Sequence, residues 1–271
     1  MATTLRYLHH PASQPCRAAQ QFMLENDIPY EEEVIDITTD INERPEFREK
    51  YNPTGQVPIL VDGDFVIWES AAIAYYLNEK FDCPAHWWGS DLHQRGRIQQ
   101  FMNWYAYTLR LGGGAFHWTI FAPMIYGYDK DFSAEIKRGR YLLYEALDIL
   151  EDYWLKDDTE YMCGSVISFP DLAAYQDLVS HHAGNIIPAA VWDKHPKVKA
   201  WFARIAERPH AKTVSAWQYE NVGKILNDGV KFDFQRKTAV LKGSEVHSGH
   251  NHGIPYADQD DTYLDSSESQ T

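Results

Sequence analysis

The sequence predicts a mixed α/β domain followed by an all-helical one. Two observations carry this. From Leu5 to Lys80 strand and helix signals alternate in the order β-α-β-α-β-β-α. From Asp91 onward the apolar residues recur at helical spacing, as in Leu143, Leu147, Leu150 and Trp154. A chain of 271 residues has ample length for two such units.

Each element has a local reason. Leu5 to Leu8 reads as a strand, and Pro15 to Glu25 as a helix, because proline is preformed for a first helical turn. Tyr30 to Ile37 reads as a second strand centred on Val34 and Ile35, and Pro45 to Lys50 as a short helix. Val57 to Val61 and Phe65 to Trp68 read as strands joined by the turn Asp62-Gly63-Asp64. Glu69 to Lys80 is a helix with Ile73, Tyr76 and Leu77 on one face. The expected boundaries are a first domain over 1–81, a linker over 82–90 with Pro84 and Gly89 as breakers, and helices over 91–230. Ser168-Phe169-Pro170-Asp171 reads as a capping box, and Pro196 and Pro209 open two further helices. Residues 231–271 form a polar extension, expected to be partly disordered.

Composition narrows the function. Hydrophobic content of 44% and charged content of 24% are those of a soluble globular protein. A net charge of −14 disfavours nucleic acid and anionic membranes as partners. No run approaches the roughly 18 apolar residues of a membrane span, and the N-terminus lacks a signal-peptide core. Cys16, Cys83 and Cys163 are odd in number and widely spaced, which suggests free thiols in a reducing cytoplasm and no zinc pattern. His247, His250 and His252 sit in a glycine-containing segment expected to be mobile and to lack an orienting second layer, and no metal site is expected.

Three segments fit one ligand. Ser13 stands before the helix that opens at Pro15, where free N–H groups and the helix dipole favour an anion. Capping is the commoner job of such a serine. In Asn52-Pro53-Thr54-Gly55-Gln56-Val57-Pro58, a proline entering a strand removes a ladder donor. A cis Val57–Pro58 bond would free the Val57 N–H and C=O for a peptide ligand, and a trans proline on an edge strand is the alternative. At Trp68-Glu69-Ser70 a strand enters a helix. Ser70 is suited to cap, the amides there to bind a carboxylate, and Glu69 to accept from an ammonium. Together these make a receptor with an amino-acid grip at one end, a backbone edge in the middle and a sulfur site at the other, which describes glutathione.

The chain resembles the theta-class glutathione transferases, and within them the bacterial dichloromethane dehalogenases. The resemblance runs from about Leu5 to Tyr256. It rests on His10-Pro11-Ala12-Ser13-Gln14-Pro15-Cys16-Arg17, on Lys50 to Val61, on Trp104 to Trp118, and on the tail segments Lys237 to Gly243 and Gly249 to Tyr256. It implies a thioredoxin-like domain fused to a helical glutathione-transferase domain, and a homodimer. It implies Ser13 as the catalytic serine, Gln56, Val57 and Pro58 as contacts to the glutathione backbone, and Glu69 and Ser70 as contacts to its γ-glutamyl end. Typical theta enzymes hold the glycine end with a histidine after the second strand. Here that stretch is Thr38-Thr39-Asp40-Ile41-Asn42, with Asn42 as the candidate contact. An aspartate that crosses the dimer in some theta enzymes aligns with Gln99.

The expected chemistry is nucleophilic substitution on a small haloalkane. A cysteine-type thiol titrates near ~8.5, and lowering that by two units takes ~2.7 kcal/mol. A charge-assisted hydrogen bond of about 1.5–3 kcal/mol from Ser13 and about 0.3–1 kcal/mol from the helix end are of that size. Arg110 adds positive field or forms an ordinary ion pair. Pro11, Phe116, Trp118 and Phe121 are the expected pocket for a one-carbon halide, following Gly112-Gly113-Gly114, which is expected to interrupt the long first helix of the second domain. Three other readings stay open: a transferase for longer haloalkanes or epoxides, a thiol–disulfide oxidoreductase, and a non-catalytic binding protein. The second wants a cysteine where Ser13 stands.

Overall fold

The computed structural model describes residues 4–126, 131–156, 159–228, 230–233 and 238–241; within these, the side chains of residues 115, 118, 122–126 and from 225 onward lie outside the description. His247, His250, His252 and the tail segment Gly249 to Tyr256 fall outside the described residues.

Four strands form one sheet: β1 (Arg6–His9), β2 (Glu31–Val34), β3 (Ile59–Asp62) and β4 (Phe65–Trp68), in the order β2-β1-β3-β4. β1 pairs parallel with β2 and antiparallel with β3, and β3 pairs antiparallel with β4. The helices of this half are α1 (Gln14–Glu25), α2 (Pro45–Lys50) and α3 (Ser70–Lys80). Period-two alternation splits the sheet's side chains between two cores. Tyr7 and Leu60 face a large core shared with the helices, whereas Leu8, Ile59 and Val61 join Cys16, Ile35, Phe47 and Val57 in a smaller one. β2 is shorter than the apolar pattern suggests. It is an edge strand of glutamates, with Glu33 paired to Arg6 and Glu32 within 2.6 Å of His9 Nε2, and Ile35 has already turned inward beyond it.

The second half is helical: α4 (Leu92–Tyr107), α5 (Leu109–Tyr126), α6 (Ser133–Ile149) with a π turn over Leu150–Trp154, α7 (Phe169–Ala183), α8 (Ala189–Lys194), α9 (Pro196–Ala206) and α10 (Pro209–Asp228). The capping box forms, with Ser168 N and Oγ both donating to Asp171 Oδ2 at 2.9 Å. Beyond α10, β5 (Val230–Asp233) and β6 (Thr238–Leu241) pair as an antiparallel ribbon at the start of the polar extension.

One feature departs from the sequence expectation. The triple glycine does not interrupt a helix. The break falls at Thr108, with φ −123° and ψ −86°, and Gly112 to Gly114 lie inside α5. A Cβ at Gly112 would stand 2.8 Å from the Leu142 backbone, and one at Gly139 would stand 3.0 Å from that of Phe116, so these glycines let α5 and α6 approach closely. The segment over 82–90 packs against both halves. Trp87 meets Phe22 edge-on at 5.3 Å, and Trp88 stacks on Phe169 at 5.3 Å.

Candidate active site

A cavity of about 340 Å³ opens between the sheet half and the start of the helical half. Pro15, Asn52, Gln56, Val57, Pro58, Glu69 and Ser70 line one side, and Met102, Asn103, Tyr105, Tyr107 and Arg110 the other. Of the residues singled out in the sequence, it gathers Gln56, Val57, Pro58, Glu69, Ser70 and Arg110.

The loop before β3 sets the first wall. The Val57–Pro58 peptide is cis, and β3 begins only at Ile59. Val57 has no backbone hydrogen-bond partner among the described residues and lines the cavity. Asn52 Nδ2 holds the Gln56 carbonyl at 2.8 Å, and Asn42 Nδ2 holds the Gly55 carbonyl at 2.7 Å. Gly55 has φ +69°, and a Cβ there would stand 2.7 Å from the Asn42 carbonyl. Asn42 therefore shapes the turn that presents Gln56, and it does not line the cavity.

At the next wall, Glu69 occupies the half-helical position before α3 with φ 73° and ψ 117°. A non-glycine residue in that region is under strain, of order 1–3 kcal/mol, and such strain concentrates at ligand sites. Ser70 is the first helical residue and not the cap expected of it; neither side chain caps α3. The first amides of that helix are thus left for an anion.

Ser13 precedes α1 with an extended backbone, φ −80° and ψ 122°, and makes no side-chain cap hydrogen bond. Its hydroxyl faces the Cys16 thiol, which burial pushes up to about 11, so Cys16 is a neutral thiol. Ser13 is half-exposed and stands two residues from Pro15, which lines the cavity; Ser13 itself does not. Arg110 Nη1 donates to Asp177 Oδ1 at 2.9 Å. Asp177 is buried, which pushes its carboxyl up, while the Arg110 charge pulls it back. Arg110 is thus ion-paired to a buried carboxylate, and it also lines the cavity.

Residues 14–80 match the family described as glutathione S-transferase, N-terminal domain, and residues 116–209 match glutathione S-transferase, C-terminal domain. A dichloromethane dehalogenase of Methylophilus leisingeri is 74% identical over 97% of this chain and 98% of its own length. The chain belongs to the glutathione S-transferase family. A second dichloromethane dehalogenase, from Methylorubrum extorquens, is 63% identical over 94% of this chain and 90% of its own. Glutathione S-transferase theta-2 of Homo sapiens is 32% identical over 71% of this chain and 77% of its own. Among solved structures, a human theta-class glutathione transferase in complex with the glutathione conjugate of 1-menaphthyl sulfate superposes with a TM-score of 0.73, at 29% identity, covering 89% of this chain and 94% of that one. The α/β-plus-helical order of this transferase is therefore the family's fold, and the dichloromethane dehalogenases are the relatives with which it shares nearly its whole length.

The remaining site residues of the transferase lie elsewhere. The Pro11 carbonyl accepts from Arg17 and Gln218. Phe116 is buried against α6 with its ring 5.8 Å from His181, and Phe121 packs at a tilt against His117 at 4.3 Å. Pro11, Phe116 and Phe121 do not line the cavity, and the Trp118 side chain lies outside the described residues. Of the far wall, sequence reasoning singled out Arg110 alone. Tyr105 and Tyr107 stand on a helix where aromatic residues read as ordinary core, and no local pattern announces the cavity they close.

Proposed function

We propose that the chain is a glutathione-dependent dehalogenase of dichloromethane. Ser13 donates its O–H to the glutathione sulfur and favours the thiolate. Glu69 accepts from the γ-glutamyl ammonium, Ser70 and the first amides of α3 take the adjoining carboxylate, and the Val57 peptide and Gln56 pair with the glutathione backbone. Asn42 acts on the glycine end through the Gly55 turn. The thiolate attacks the carbon of dichloromethane, a C–S bond forms, and chloride leaves with the C–Cl electron pair. Water then replaces the second chloride, and the hydroxymethyl thioether releases formaldehyde and returns glutathione. An aligned nucleophile stripped of water is what such substitution needs. Met102, Tyr105 and Tyr107 supply the apolar part of the cavity's far wall, on the electrophile side.

The observation that carries this reading is the convergence of Gln56, Val57, Glu69 and Ser70 on one cavity beside an uncapped Ser13. The choice of electrophile is supported by the names of the two relatives that match nearly the whole chain. The working unit is a homodimer in the cytoplasm. Exposed Phe65, Tyr75, Tyr107 and Leu111 supply apolar surface for a second copy, and Cys16, Cys83 and Cys163 are all free. Among the described residues no helix is long and apolar enough to cross a membrane.

The test is glutathione-dependent release of chloride and formaldehyde from dichloromethane. Ser13→Ala is expected to lower that rate by at least about tenfold, the worth of one charge-assisted hydrogen bond, with an unchanged melting curve. Near-normal turnover would remove Ser13 from the mechanism. Thioether formation with longer haloalkanes or epoxides, and no chloride from dichloromethane, would move the substrate to the wider theta class.

A further inference from the structure

Arg17 is fully buried on the first turns of α1, and neutral oxygens take all five of its N–H donors. Nε donates to Gln176 Oε1 at 2.8 Å, and Nη2 donates to the Gln176 carbonyl at 2.8 Å and to Ser180 Oγ at 3.1 Å. Nη1 donates to the carbonyls of Pro11 and Ala12, each at 3.0 Å. Gln218 Nε2, from α10, donates to the same two carbonyls at 3.3 and 3.1 Å, and Ser180 Oγ closes the ring by donating to Gln218. The Ala12 carbonyl and the Ser13 N–H belong to one peptide. The guanidinium thus rests directly on the loop that carries Ser13.

A buried charge is ordinarily matched by an opposite one. Here the carboxylate that Arg17 feels most, Asp177 of α7, is hydrogen-bonded to Arg110 of α5. The other titratable groups around Arg17 carry no charge to offset it. Cys16 on α1, Tyr105 on α4, Tyr175 on α7 and Tyr219 on α10 are all held above their usual ranges as neutral groups. Burial lowers His10, before α1, and His117, on α5, so both are neutral imidazoles. One positive charge is left over behind Ser13, and burial brings Arg17 down only to about 10.

We propose that Arg17 is a positioning residue of the thiolate site: it clamps the Pro11–Ser13 loop and makes the bound glutathione thiol more acidic through its unmatched buried charge. This rests on the proposed placing of the glutathione sulfur at the loop that carries Ser13.

The test titrates the ultraviolet absorbance of the thiolate of glutathione bound to the full-length protein. Two variants remove the charge by different routes. Arg17→Met deletes it, and Gln176→Glu sets a carboxylate on Nε with nearly the original shape. Each is expected to raise the pKa of the bound thiol by about one unit, a tenfold loss of thiolate below that pKa. Arg17→Lys keeps the charge and is expected to hold the pKa to within about a third of a unit while lowering kcat through a looser loop. A folded charge-removing variant with an unmoved pKa overturns the proposal. If neither folds, a raised pKa in Arg17→Lys overturns it, and failure of all three to fold makes Arg17 a residue of the fold alone. Ser13→Ala separates the two readings. A pKa raised by the Arg17 and Gln176 variants and untouched by Ser13→Ala sinks Ser13 and keeps Arg17; the reverse sinks Arg17 alone.

Discussion

The N-termini of α1 and α7 share a local pattern, Ser13-Gln14-Pro15 and Ser168-Phe169-Pro170, and use it in opposite ways. Both serines have extended backbones and both helices carry proline in the first turn. Ser168 is buried, and its hydroxyl is committed to Asp171 in a reciprocal capping box. Ser13 is half-exposed, and its side chain caps nothing. The difference lies three residues on. Asp171 accepts from Ser168, whereas Cys16 in the same place is a buried neutral thiol, only a weak hydrogen-bond partner for the Ser13 hydroxyl. A serine released from capping is free to meet a ligand, and a helix start without a carboxylate keeps its positive end for a ligand anion.

The largest expected effect falls on the capped end. Asp171 accepts from Ser168 N, Ser168 Oγ, Met162 N and Trp201 Nε1, each at 2.9 Å. Asp171→Ala orphans these buried donors at about 1–3 kcal/mol apiece, so a loss of at least about 4 kcal/mol is expected, read from the urea midpoint. A loss under about 1 kcal/mol would mean the box is ornamental and the contrast with α1 is empty.

The paired serines sharpen it further. Ser168→Ala is expected to cost about 1–2 kcal/mol in stability and leave kcat/KM for glutathione where it was. Ser13→Ala is expected to change stability by no more than about 0.5 kcal/mol, because no cap is lost. If Ser13→Ala instead destabilises as much as Ser168→Ala, its hydroxyl is a cap after all.

How legible each end is in sequence follows from the range of its contacts. The α7 box is an i, i+3 pattern, readable from Ser168 and Asp171 alone. The strands are readable from period and turn chemistry, though Tyr30 to Ile37 contracts to Glu31–Val34 because an edge strand lacks a second partner to extend it. The cis Val57–Pro58 bond is half legible: a proline at a strand entrance donates nothing to the ladder, which leaves a cis bond or an edge position, and the structure takes the first. What is not legible depends on distant faces meeting. Arg17 reads as a helix arginine until α7 and α10 bring Gln176, Ser180 and Gln218 to it. Gly112 reads as a helix breaker until Leu142 is seen against it. Phe116 has the same composition signal whether it lines a pocket or fills a core.

The N-terminus of α3 extends the comparison. Among the described residues, the non-glycine positive φ angles are at Asp27, Glu69, Asp82 and Asn185. Three of these are Asp or Asn just past a helix C-terminus, where a left-handed residue is ordinary. Glu69 is at a helix start, on the cavity, with ψ 117°. Glu69→Gly removes strain of about 1–3 kcal/mol and adds back about 0.5–1 kcal/mol of chain entropy, so stability should rise by up to about 2.5 kcal/mol. The same change deletes the carboxylate facing the ammonium, so KM for glutathione should rise at least about tenfold, the worth of one charged hydrogen bond. Glu69→Ala keeps the strain and loses the same carboxylate, and should match Glu69→Gly in KM but not in stability. A Glu69→Gly protein with normal KM would show that the backbone turn, and not the carboxylate, is what the ligand reads at this end.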